Sequence, residues 1–209
     1  MAIVITVAQQ KGGTGKTTLA ANLAAGLAPS ARVALLDIDP QRSLTRWHAI
    51  RAARDVAAAP VTFSDVSGWR LSTALDRLQR SHDVVLIDSP PQIDTDARLA
   101  IRGASLVLIP VQPSPPDVWA AEGTLGLATA ERRDARLVLN RVPSASRLGE
   151  TVKAELIARK LPLLNTAIGN RTGFATAFAA GLGVTEAAPR SNAAAELRAL
   201  LAEIRQVIE

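Results

Sequence analysis

Lys11-Gly12-Gly13-Thr14-Gly15-Lys16-Thr17-Thr18 decides the fold of this chain. It is a glycine-rich turn that ends in Gly-Lys-Thr and carries a second lysine at its entrance. The apolar run Ile3 to Ala8 precedes it and reads as a buried strand, and Lys16 to Ala28 follows with helical spacing. A strand, a glycine turn and a helix N-terminus together form a phosphate cradle, because backbone N–H groups and the helix dipole point at one place. In such a cradle Gly12, Gly13, Thr14, Gly15 and Thr18 wrap the phosphates. Lys16 reaches the β- and γ-phosphates, and the Thr17 hydroxyl ligates Mg²⁺. The ordinary pattern G-x-x-x-x-G-K-[ST] would place its first glycine at position 10. That position is Gln10, and the next residue is Lys11.

At 209 residues, with 48% hydrophobic and 21% charged residues, a single globular domain covering the whole chain is expected. There are no cysteines, which removes disulfides, thiolate metal sites, iron–sulfur ligation and cysteine nucleophiles. The first apolar run has no basic stretch before it and is too short for a signal peptide, and no apolar stretch nears the roughly 20 residues that span a bilayer. A cytoplasmic protein is expected. Lys and Arg total 24 against 19 acidic residues, for a net charge of +5. Lysine occurs only at 11, 16, 153 and 160, so two of the four lysines sit in the glycine turn. The arginine excess fits a polyanionic partner, and equally an arginine-biased solvated surface.

Short apolar runs alternate with helical patterns along the chain. Strands are predicted at Ile3–Ala8, Arg32–Ile38, Val61–Phe63, Val84–Ile87, Ser105–Val111, Arg136–Asn140 and Leu163–Ile168. Helices are predicted near Lys16–Ala28, Ser43–Ala53, Trp69–Arg80, Asp94–Arg102, Asp117–Arg132, Leu148–Lys160, Gly173–Ala180 and Ala193–Ile208. Continuous apolar strands between helices predict an α/β fold: a doubly wound, mostly parallel sheet covered on both faces, with its ligand crevice at the carboxyl ends of the strands.

Two further sites should meet the glycine turn there. Asp37-Ile38-Asp39-Pro40-Gln41 closes one strand and Asp88-Ser89-Pro90-Pro91 closes another. An aspartate after four apolar strand residues is the Walker B arrangement, in which the carboxylate holds Mg²⁺ directly or through water. Strand-end aspartates also serve as plain helix caps and turn formers. Phosphoryl transfer needs mainly positioning and charge neutralisation. Asp39 suits the attacking water. Lys11 suits the developing charge, a role worth roughly 10³–10⁵ in rate when arginine fingers fill it. From the loop's entrance Lys11 cannot easily curl back onto its own nucleotide, but it could reach one held by a facing subunit.

These motifs, Lys-Gly-Gly-Thr-Gly-Lys-Thr-Thr, Asp-x-Asp-Pro-Gln and Asp-Ser-Pro-Pro, resemble the deviant Walker A ATPases, and among them the short, ParF-like members of the ParA partition family. Residues 6–28, 33–47, 83–91 and 109–123 match closely and 165–186 more loosely. No N-terminal helix-turn-helix domain is expected. The resemblance implies ATP and Mg²⁺ as cofactors and an ATP-dependent homodimer in which each Lys11 touches the partner's phosphates. It implies Asp39 as the hydrolytic aspartate, Asp37 beside the metal with Thr17 and Asp88, and Gln41 in the switch that reports on the γ-phosphate. Asn140 matches the adenine-contacting position, where an asparagine can also be a simple turn former. Pro113 to Asp117 matches a segment near the base and the dimer interface, or is a rigid loop.

The same resemblance implies non-specific binding of duplex DNA, with Arg147, Lys160, Arg171 and Arg190 as candidate contacts, and a ParB-like adaptor or cargo protein. It places such a protein on the nucleoid. The competing expectation is a MinD-like membrane-associated positioning ATPase, which needs a basic amphipathic C-terminal helix. Here Leu197, Leu200, Leu201, Ile204 and Ile208 have core spacing and the helix has no aromatic residue, so no membrane association is expected. A ligase or synthetase of the same superfamily would need a polar substrate pocket that the sequence does not show. The nitrogenase iron-protein branch needs cysteines.

Overall fold

The structure is a computed structural model that describes residues 2–54, 58–66, 68–92 and 94–208. Six parallel strands form one sheet in the order β3-β2-β4-β1-β5-β6. They are β1 (Ile3–Val7), β2 (Val33–Asp37), β3 (Val61–Asp65), β4 (Val84–Asp88), β5 (Leu106–Val111) and β6 (Asp134–Leu139). Every residue of β2, β4 and β5 is buried, as their unbroken apolar sequence requires of strands covered on both faces. In the edge strand β3 only Val61 is buried, and the rest is half-buried or exposed.

On one face lie α1 (Lys16–Leu27), α2 (Ser43–Ala52), α7 (Thr172–Ala179), α8 (Val184–Ala187) and α9 (Asn192–Ile208), around a core that includes Leu23, Leu35, Trp47, Leu86 and Leu197. The other face carries α3 (Leu71–Gln79), α4 (Thr95–Gly103), α5 (Pro115–Ala130) and α6 (Arg147–Ala158). The sequence sets three of these helix starts locally. Asp94, Ser114 and Ser146 each accept a hydrogen bond from a backbone N–H in the first turn of α4, α5 and α6, and Pro115 and Pro116 occupy the opening positions of α5.

One predicted strand is not a strand. Residues 163–168 run beside β6 but make only isolated bridges, Leu137 to Leu163 and Val142 to Gly169. The cause lies on α9. The Glu203 carboxylate accepts the N–H groups of Asn165 (2.6 Å) and Thr166 (2.8 Å), and Glu196 accepts that of Gly169 (3.1 Å). Leu164 and Ile168 still donate to β6, but Glu203 takes the Thr166 N–H that lies between them, so the ladder is interrupted there. Periodicity reads only apolar spacing, so it cannot detect two glutamates 27 to 38 residues downstream.

Strand register assembles the crevice. Asp88 lies opposite Val7 on β1 and opposite Asp37 on β2, so both aspartates and the start of the glycine turn share one end of three neighbouring strands.

Candidate functional site

The loop between β1 and α1 owes its shape to glycine. Gly13 (φ 78°) and Gly15 (φ 93°) occupy left-handed conformations that side chains disfavour. A Cβ at Gly15 would also stand 2.6 Å from the Asn140 Nδ2 atom. Gly15→Ala therefore combines backbone strain of about 1–3 kcal/mol with a clash against the strand end. Titration calorimetry on this variant is expected to find ATP binding weakened by at least tenfold while the thermal unfolding midpoint moves by only a few degrees.

Lys16 is buried, and its ammonium donates to the Lys11 carbonyl at 3.4 Å. Burial lowers its pKa, opposed first by Asp88 and then by Asp39. Asp88 is 0% exposed, and neither carboxylate oxygen has a hydrogen-bond partner. Burial pushes its carboxyl up to about 8, against the pull of the Thr17 hydroxyl and the Lys16 ammonium. A buried carboxylate without partners is costly, and a hard cation between it and the Thr17 hydroxyl would satisfy it. Among the described residues no group of three or more His, Asp and Glu side chains is placed to hold a metal unaided. That fits Mg²⁺ of the kind held by one carboxylate, a hydroxyl, waters and the phosphates themselves.

Asp37 is committed elsewhere. One of its oxygens accepts the Asp39 N–H (3.1 Å), and the other accepts both the N–H (2.9 Å) and the hydroxyl (2.8 Å) of Thr45. Asp37, expected beside the metal, pins the first turn of α2 to the end of β2 and lies in register with Asp88. Burial raises its pKa while the Thr45 and Asp39 hydrogen bonds lower it. Asp39 accepts the Gln41 N–H at 2.9 Å and faces a cleft of about 250 Å³ with Gly12, Lys16, Thr17, Gln41 and Pro91.

Lys11 makes an ion pair with Asp117 of the same chain, in the first turn of α5. The Asp117 side chain is 2% exposed against 39% for Lys11, so the pair stands at the edge of the core with its cation toward solvent. The Ser114 hydroxyl donates to the same carboxylate oxygen, and the other oxygen has no partner. Gln10, where the pattern expects glycine, lies across α5 against Gly123, where a Cβ would come within 2.0 Å of its amide. Gln9 meets Thr124 at 3.4 Å. The missing glycine is therefore matched by one on a helix about 110 residues away. That pairing was invisible in the sequence, although the order Asp117, Gly123, Thr124 on one apolar helix was there to be read.

A second cleft, of about 280 Å³, opens beside Gly15, Thr18 and Leu19 and is walled by Asn140, Arg141, Ile168, Gly169, Arg171 and Phe174. Asn140 donates its amide to the Thr14 carbonyl at 2.7 Å, so it braces the loop at the edge of this cleft. Arg141 was missed by the sequence reading. It has a left-handed backbone (φ 55°), donates to the Gly13 carbonyl at 3.0 Å and borders both clefts. Its one sequence signal was its position after Asn140 at a strand end.

A phosphate-sized cleft and a nucleoside-sized cleft thus join at Gly15, beside an orphaned carboxylate and two lysines. Residues 5–184 match the family described as the CobQ/CobB/MinD/ParA nucleotide binding domain. The chain belongs to that family. It is 33% identical to the maintenance of carboxysome distribution protein A of Halothiobacillus neapolitanus over 218 residues, covering 99% of this chain and 95% of that one. It is 32% identical to the chromosome-partitioning ATPase Soj of Thermus thermophilus, covering 96% and 94%. Among solved structures, apo McdA from Cyanothece superposes with a TM-score of 0.82 at 19% identity, over 98% of this chain and all of that one. The chain is an ATPase of the ParA/MinD type, and its all-parallel sheet is the fold its sequence predicts.

In this ParA/MinD-type domain the four basic candidates for DNA lie on different elements. Arg147 opens α6 and Lys160 lies just past its end, about 20 Å away at 1.5 Å per residue. Arg190 is exposed between α8 and α9, and Arg171 is bound by Glu196. Arg147, Lys160 and Arg190 have no ion pair among the described residues. No helix of the described residues is long and apolar enough to cross a membrane. The apolar side of α9 (Leu197, Leu200, Leu201 and Ile204) is buried in the core.

Proposed function

We propose that this chain is an ATP-driven switch that pairs with a second copy across bound ATP, holds duplex DNA non-specifically in that state, and positions cargo. The observation that carries it is Lys11, a cation at the loop's entrance, half exposed and tied to Asp117. Lys16 and the N–H groups of residues 12–18 bind the phosphates. Asn140 braces the loop and accepts from the base. Thr17 and Asp88 would hold Mg²⁺, which would supply charge neutralisation on the phosphates. Asp39 orients the attacking water and can take up its proton. Lys11, released from Asp117, reaches the partner's phosphates and stabilises the charge that develops there.

The matched relatives are named for carboxysome distribution and for chromosome partitioning. The cargo proposed here is of those kinds, a DNA replicon or a cytoplasmic protein cluster, engaged through a ParB-like adaptor that stimulates hydrolysis. A nucleoid-bound, cytoplasmic protein follows. The MinD-like alternative would need a free amphipathic helix, whereas the apolar side of α9 is already buried.

Size-exclusion chromatography tests the switch: dimers are expected with MgATP, monomers with MgADP, and a monomer in both would contradict it. DNA binding follows as an electrostatic prediction. If a dimer neutralises about four phosphates, affinity for any duplex should fall roughly 100-fold between 50 and 200 mM salt, and salt-independent affinity would argue against phosphate contacts.

A further inference from the structure

Arg171 is not free to bind an anion. Its Nε donates to Glu196 at 2.9 Å and its Nη2 meets the same carboxylate oxygen. The other oxygen of Glu196 accepts the Gly169 N–H at 3.1 Å. The guanidinium lies flat enough against the loop that a Cβ at Gly169 would come within 3.1 Å of Nε and 3.3 Å of Cζ. Glu196 is fixed in turn, because its helix is anchored by Leu197 and Leu200, both fully buried. One carboxylate on the rigid α9 therefore holds both the backbone and a side chain of the segment 169–171. That segment is the wall of the nucleoside-sized cleft facing Gly15, Thr18 and Asn140. On its inner side the wall is tied to Val142, which donates to the Ile168 carbonyl (3.0 Å) and accepts the Asn170 N–H (2.8 Å), and on its outer side the Glu196 carboxylate holds it.

We propose that Arg171 and Glu196 form a brace that sets the shape of the nucleoside half of the ATP site, and that Arg171 is a positioning residue for base and ribose and not a contact for DNA. This rests on the reading of the paired clefts as an ATP site. A phosphate backbone would have to compete with a carboxylate already seated on Arg171 by two donors, whereas a nucleoside in the cleft leaves the pair intact.

The test separates the two halves of the ligand. Titration calorimetry on the full chain uses MgATP and, separately, magnesium tripolyphosphate, which can occupy only the phosphate loop. Arg171→Ala is expected to weaken MgATP about fivefold, the size a partly exposed ion pair supports, and to leave tripolyphosphate unchanged. KM for ATP should rise by the same factor with kcat altered less than about twofold, as for a residue that positions the bound ground state. Arg171→Glu should behave like the alanine variant, and adding Glu196→Arg to it should restore most of the affinity. The slope of DNA affinity against salt should stay at its wild-type value in every variant that dimerises.

Three results would overturn the brace: unchanged ATP affinity in Arg171→Ala, parallel loss of ATP and tripolyphosphate, or a slope reduced by about one charge with ATP affinity intact. A wild-type chain that fails to bind MgATP, or a Lys16→Ala variant that binds it normally, contradicts the ATP-site reading instead.

Discussion

Lys11→Ala is expected to bind MgATP within about threefold of wild type, yet to remain monomeric with ATP and to lose at least 10³-fold in turnover. The two halves of this result have separate causes. Ground-state binding uses the loop N–H groups, Lys16 and the nucleoside cleft, and Lys11 points away from all of them toward Asp117. Turnover needs a cation on the transferring phosphoryl group, and in the proposed switch Lys11 supplies it to a facing subunit. The substitution also leaves Asp117 buried without its counter-ion, with Ser114 as its remaining side-chain partner. A loss of about 1–3 kcal/mol in folding stability is therefore expected, read by urea unfolding at fixed pH. Asp117→Asn gives the complementary control. It frees Lys11 without burying a lone charge, so its ATP-dependent dimers should form at lower ATP concentration than those of wild type, as read by light scattering.

Asp88→Asn should separate stability from function in the opposite direction. The wild-type carboxyl has a folded pKa of about 8 against an unfolded value near 4, so the native state holds a proton that the unfolded chain has released. Stability from this group is fully present below pH 4, falls as pH rises, and reaches its lowest value above pH 8. Asparagine removes that slope. The nucleotide-free variant should therefore melt at a higher temperature than wild type at pH 8, by about 2–4 °C for each kcal/mol relieved, and show little difference near pH 4. With ATP the order reverses: wild type gains a Mg²⁺-dependent rise in melting temperature, and the variant keeps only the magnesium-independent part. A variant that keeps the full Mg²⁺-dependent rise would show that Asp88 is not the metal-facing carboxylate, and one that melts lower than wild type at pH 8 without nucleotide would contradict the raised carboxyl pKa.

These expectations show where sequence reasoning reaches and where it stops. The glycine turn, the apolar strands and the strand-end aspartates were legible because each is local: a phosphate cradle needs Gly13 and Gly15 at fixed spacing from Lys16, and a doubly covered strand needs an unbroken apolar run. The sheet then brings Asp37 and Asp88 into register, as their shared place at strand ends implied. What sequence could not supply was the choice of partner. Asp37 and Asp88 look alike in the chain, yet Thr45 occupies one and nothing occupies the other. Residues 163–168 have strand periodicity, but Glu203 reaches across from α9 to take the Thr166 N–H between the two donors that reach β6. Gln10 looked like a lost glycine until Gly123 was found beneath it. Each of these depends on a contact far away in the chain.

The most direct test of the central claim, that Lys11 acts on the nucleotide of a partner, is to mix two inactive variants. Lys11→Ala keeps its own Asp39 but cannot serve a neighbour, and Asp39→Ala offers its Lys11 but cannot activate water. In a mixed dimer one site receives both groups and one Lys11 contact remains, so an equimolar mixture should recover ATPase activity, up to roughly a quarter of wild type at random pairing and less where Lys11→Ala pairs more weakly. If Lys11 works within its own subunit, no pairing unites it with Asp39, and the mixture will stay as inactive as its parts.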